Sequence, residues 1–188
     1  MLLDEDEGKT AVCLARKTII NKIAGNTLDC PVLSAIFREK RGVFVTLTEF
    51  NELRGCIGYP YPVMPLSEAI VDAAISAATK DPRFPPVQQK ELENISIEVT
   101  VLTPPQPLHC SASERNKKIE VGRHGLILQG KGHAGLLLPQ VATEYNWTPE
   151  EFLDHTCLKA GLFKDCWKDE NYELLTFEGQ IFSEMRKI

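Results

Sequence analysis

Residues 95–101 read Ile-Ser-Ile-Glu-Val-Thr-Val, an unbroken alternation of apolar and polar side chains. Successive side chains of a strand point to opposite faces. Ile95, Ile97, Val99 and Val101 therefore share one face, and Ser96, Glu98 and Thr100 the other. A second strand is predicted over 43–48, opened by Gly42. Two helices accompany these strands. Over residues 8–24, Val12, Ala15, Ile19 and Ile23 recur at helical spacing, with Ala11 and Leu14 widening the stripe. Asp4 to Glu7 suit the positive end of that helix, and Gly25-Asn26 suits its stop. The second helix starts near Pro65 and ends at Asp81-Pro82. Its inner face, Leu66, Ala69, Ile70, Ala73, Ala74 and Ala77, is mostly alanine, so it can lie close against a sheet or another helix. Between these elements, residues 33–38 form a short helical piece or a loop.

Thr103-Pro104-Pro105-Gln106-Pro107 is the best internal boundary. Beyond it the texture changes to short strands with glycine. Leu126-Ile127-Leu128 and Leu136-Leu137-Leu138 flank Gly130-Lys131-Gly132, which reads as a hairpin with a longer loop. Pro139 starts a short helix through Val141 and Tyr145. The next helix carries the clearest start signal: Thr148 as N-cap, Pro149 at N1 and Glu151 at N3 form a capping box, with Trp147 and Phe152 placed as a hydrophobic staple. Lys159 falls in its last turn and Gly161 just past it. Residues 172–185 alternate well enough for one or two more strands. Strands and helices mix without a βαβ rhythm, so the fold class is α+β.

The chain has 188 residues, 43% hydrophobic and 25% charged, with a net charge of −5. That suits a soluble globular protein and disfavours nucleic-acid binding driven by bulk charge. The run at 69–78 is too short to span a bilayer and contains Asp72. The acidic N-terminus is the wrong charge for a signal peptide. No two of the six cysteines form a C-x-x-C pair, which argues against a zinc ribbon. A chain of this size needs no disulfide staples. The expectation is a cytoplasmic protein with free thiols, no metal and no cofactor.

The chemistry concentrates in Leu53-Arg54-Gly55-Cys56-Ile57-Gly58. Two glycines let another group come close, and a neighbouring arginine favours a thiolate. Cys56 is either a thiolate nucleophile or a small residue buried where glycines pack. Asp81 and Arg83 sit in a proline-rich turn, where they hold a cleft or simply pair within the turn. His124 lies between Gly122 and Gly125, as an acid/base or as a turn histidine. Glu98 is a general base or orients a cation if its face lines a cleft, and has no special role if that face meets solvent. Lys159 meets an anionic ligand or complements the helix dipole. Arg115-Asn116-Lys117-Lys118 reads as a solvated loop.

This hexapeptide resembles the signature of the AMMECR family. The resemblance continues in Asp81-Pro82-Arg83-Phe84-Pro85-Pro86, Val121-Gly122-Arg123-His124-Gly125-Leu126, Leu137-Leu138-Pro139-Gln140-Val141-Ala142 and Cys157-Leu158-Lys159-Ala160-Gly161-Leu162. These blocks follow the family's order and cover most of the chain. The resemblance implies one AMMECR-type domain over 1–188. Within it, a mixed sheet packs with helices in a larger part, a smaller subdomain covers about 104–147, and a cleft lies between them. It also implies an association, seen in prokaryotic relatives, with Memo-type and radical S-adenosylmethionine proteins. It implies no established activity. Two readings stand. One is an enzyme with Cys56 and Arg54 as catalytic residues, and Asp81, Arg83 and His124 binding a small or anionic substrate. The other is a non-catalytic adaptor or ligand-binding module.

Overall fold

The computed structural model describes residues 2–25, 29 and 31–184. Asn26, Cys30 and Met185, which figure in the readings above, lie outside that set. The fold is α+β. Its chain divides into two compact units, one of residues 1–102 with 180–188 and one of Thr103–Gly179.

The first unit opens with α1 (Glu5–Ala24). Asp4 and Glu7 form a reciprocal capping box at its start, and Gly25 ends it in the left-handed region at φ 68°. A 3-10 turn at Ala35–Arg38 follows. Strands β1 (Val43–Glu49) and β2 (Glu52–Tyr59) then form a hairpin, α2 (Leu66–Thr79) follows, and β3 (Ile95–Leu102) pairs antiparallel with β1. The alternation reads out as expected. Val43, Val45, Leu47, Ile95, Ile97, Val99 and Val101 are buried in one cluster with the alanine face of α2 and with Ala11, Leu14, Ala15 and Ile19 of α1. Phe44, Thr46 and Thr48 of β1, with Ser96 and Glu98 of β3, lie on the opposite face and stay half-buried.

In the second unit, β4 (Gln106–Pro107) pairs with β7 (Glu173–Ser183), whose last residues belong to the first unit. A single long strand thus stands where one or two were expected. Helix α3 covers Arg115–Lys118. Strands β5 (His124–Gly130) and β6 (His133–Leu137) make a hairpin, and β5 also pairs with β7. Gly130 faces His133, so the turn is Lys131-Gly132 alone, both at positive φ, and is tighter than the longer loop expected. Helices α4 (Pro139–Glu144) and α5 (Pro149–Lys159) complete the unit. Phe152, Leu153, Trp167, Leu126, Leu128 and Leu174 form its core.

Two expectations fail in this unit. Arg115 is not solvated: it is 5% exposed and donates Nη1 to the Trp167 carbonyl and Nη2 to the Tyr172 carbonyl. A basic run hides one residue that ties α3 to the chain leading into β7. Nor are all cysteines free, because Cys157 and Cys166 are bonded, with their Cα atoms 5.9 Å apart. Left-handed residues at Gly161 and Asp165 turn the chain back onto α5 and bring the two sulfurs together. Chain size alone could not exclude that pairing.

The α5 start carries the expected reciprocal bonds between Thr148 and Glu151, and the Trp147 and Phe152 rings lie 6.5 Å apart. Thr148→Ala should lower unfolding stability by about 1 kcal/mol. A denaturant titration that superimposes on the parent's would show that the cap contributes nothing.

Candidate functional site

Four of the five singled-out residues meet in the first unit. On β2, Gly55 and Ile57 occupy core-facing positions opposite Leu47 and Val45, so Cys56 is turned to the polar face opposite Thr46. The backbone groups of Cys56 bond outside the hairpin. Its N–H donates to Asp81 Oδ2 at 2.9 Å, and its carbonyl accepts Arg83 Nη2 at 3.3 Å. Cys56 and Thr46 are therefore a non-hydrogen-bonded pair, in which cross-strand side chains approach most closely. Thr46 Oγ1 lies 3.3 Å from Cys56 Sγ. Thr46 in turn faces Glu98 across β1 and β3, and Glu98 accepts from the Ser183 hydroxyl at 3.1 Å. A row of thiol, hydroxyl and carboxylate thus crosses three strands.

Asp81 is the fixed point beside this row. It is 4% exposed, and it accepts the Arg83 N–H and guanidinium besides Cys56. The Arg83 guanidinium holds the carboxyl well below the usual carboxylate range; burial opposes that, and the Cys56 and Arg83 N–H groups reinforce it. Convergence of Asp81 on Cys56 requires β2 to run alongside α2. It does: a Cβ on Gly55 would stand 2.3 Å from the Ala77 carbonyl oxygen.

Arg54 does something other than hold the thiol. It is buried and donates Nε to Glu91 at 2.8 Å, with Nη2 at 3.4 Å. Arg54 holds the Glu91 carboxyl below its ordinary range. Its Nη1 is buried without a hydrogen-bond partner among the described residues. Both Arg54 and Arg83 lie over the Phe84 ring, at 6.0 and 5.4 Å from its centroid.

His124 belongs to the second unit. Its Nδ1 accepts the Glu120 N–H at 3.1 Å, the arrangement of a turn histidine. Lys159 is an exposed residue of the last turn of α5.

Residues 12–182 match the family model described as AMMECR1. The chain belongs to the AMMECR1 family. The protein Mbar_A1807 of Methanosarcina barkeri is 55% identical over 188 residues, 97% of this chain and 93% of that one. MJ0810 of Methanocaldococcus jannaschii is 50% identical over 187 residues, 98% of this chain and 93% of that protein. Among solved structures, the crystal structure of uncharacterized protein PH0010 from Pyrococcus horikoshii matches with a TM-score of 0.80 and 46% identity, covering 97% of this chain and 93% of that one.

In this AMMECR1 chain the polar sheet face also carries a cavity of about 380 Å³, lined by Thr46, Thr48, Ser96, Glu98 and Ser183. Thr46 and Thr48 were missed as site residues although their alternation with Val45 and Leu47 puts them on the face of Cys56. Ser183 and Glu91 had no local signal; they reach the site only through the sheet and through the chain that follows α2. No described helix is long and apolar enough to cross a membrane.

Proposed function

We propose that this AMMECR1 protein holds a small molecule on the polar face of its first unit and acts on it through the Cys56 thiol, in a cytoplasmic pathway shared with Memo-type and radical S-adenosylmethionine proteins. One observation carries the reading. Cys56 is clamped through both its N–H and its carbonyl, yet the residue stays only half-buried on the polar face, with the core positions beside it given to Gly55 and Ile57. A cysteine kept for packing would occupy one of those core positions. Asp81 and Arg83 are then positioning residues rather than substrate ligands, and Arg54 anchors β2 through Glu91.

The second reading, a non-catalytic binding module, draws on the Thr46 hydroxyl beside the sulfur, which is no general base. Alkylation separates the two. With Cys157–Cys166 left intact, iodoacetamide should modify Cys56 faster than Cys13 or Cys110, as site-resolved mass spectrometry would show. Small molecules that copurify with the parent should be lost from Cys56→Ser. If Cys56 is the slowest of these three thiols and the retained molecules are unchanged, the binding module is the better account.

A further inference from the structure

A second cavity, of about 910 Å³, lies between one face of α1 and the start of β3, under the tip of the β1–β2 hairpin. Its size is that of a small-molecule site. Val12, Ile20 and Leu92 give it an apolar wall, and Phe50 stands at its rim. It shares Asn51, Ser96, Ser183 and Glu184 with the smaller cavity on the polar face.

Its charges are unevenly answered. Lys9 pairs with Glu5 and Asp6 at 3.0 and 3.4 Å. Arg16 forms a two-point ion pair with Glu184 and donates to the carbonyls of Leu92 and Ile95 at 2.9 and 2.7 Å. Glu184 also accepts the Ile97 N–H. Both cations are therefore satisfied. What remains is acidic: Glu93 has no partner among the described residues, and Glu98, in the adjoining cavity, has only the Ser183 hydroxyl.

Phe50 is the odd member. It is 78% exposed and sits at φ 49°, followed by Asn51 at φ 71°. Two consecutive left-handed residues make a tight hairpin turn that favours Asn-Gly, and a bulky aromatic is strained there. Neither burial nor backbone preference accounts for a phenylalanine at this position. A ring held over a cavity for something to stack against does.

We propose that this groove binds a small organic amine carrying an apolar or aromatic body: the body lies between Phe50 and the α1 wall, and the ammonium faces Glu93. This goes beyond the Cys56 reading and does not depend on that thiol being reactive. The test titrates phenethylamine, and phenylacetate as its anionic counterpart, into isotope-labelled full-length protein followed by amide resonances. Phenethylamine should give saturable shifts at residues 12–20, 50–51 and 92–96, with phenylacetate much weaker. Phe50→Asn should keep or raise the thermal midpoint while weakening phenethylamine binding several-fold, and Glu93→Gln should remove the preference for the amine. No saturable shifts, equal binding of both probes, or unchanged affinity in Phe50→Asn would each overturn the proposal. A lowered midpoint in Phe50→Asn would show the ring to be structural and overturn it equally.

Discussion

Gly55→Val and Gly58→Val should each cost the first unit about 2 kcal/mol or more of unfolding stability. Neither glycine has a positive φ, so backbone freedom is not the reason. The reason is space. A Cβ on Gly55 would stand 2.3 Å from the Ala77 carbonyl oxygen, and one on Gly58 would stand 2.2 Å from the Val43 carbonyl oxygen. Both obstacles are backbone atoms of regular elements, which cannot swing aside as a side-chain tip can. Relief requires α2 to lift off β2, or β1 to separate from it, and either motion opens the cluster formed by Leu47, Ala73, Ala74 and Ala77. Valine adds its branched stiffness to the clash. Chemical denaturation reads the loss directly. A midpoint equal to the parent's in both variants would mean that the close approach of α2 and the strands is not maintained in solution.

Asp81→Asn should be the next most damaging change, costing about 2–3 kcal/mol at neutral pH. The carboxylate is buried and accepts the Cys56 N–H, the Arg83 N–H and the Arg83 guanidinium. An amide can keep only part of that set and loses the charge. The half-exposed Arg83 is eased by water, which holds the cost below that of a fully buried pair broken in two. The pH dependence gives a second signature. The folded-state pKa of Asp81 is depressed, so its stabilisation is fully present above the unfolded carboxyl value of about 4 and is lost as pH falls through the folded value. The parent should therefore lose stability steeply in acid. Asp81→Asn should show a shallower acid limb, and the gap between the two should narrow as pH drops. Parallel curves would remove Asp81 from the account of acid sensitivity.

Much of the fold was legible because it is written in short-range pattern. The alternation at 95–101, the alanine stripe of α2 and the Thr148–Glu151 box each depend on residues within a few positions of one another, and each appears as read. The candidate site was half legible. The glycines flanking Cys56 announced a close approach, and the proline-rich turn announced a rigid pair. What could not be read is what long-range contact decides. Arg54 finds Glu91 37 positions away, and Arg16 finds Glu184 168 positions away. A charged side chain gives no hint of such a partner. The Cys157–Cys166 bond depends on two left-handed turns that composition does not specify. The strain at Phe50 was hidden for a related reason: only the hairpin register sets the turn at Phe50-Asn51.

The clamp on Cys56 bears on how another protein can meet this surface. Among the described residues β2 pairs with β1 alone, so its far side is the border of the sheet. Exposed borders invite self-association and strand-donating partners, because their free N–H and carbonyl groups template a further strand. At Cys56 those two groups are already taken by Asp81 and Arg83. An incoming peptide would have to displace a buried carboxylate before gaining its first bond there. Recognition at this cysteine is thereby directed away from backbone zippering and toward molecules that approach from above the sheet, side chain first.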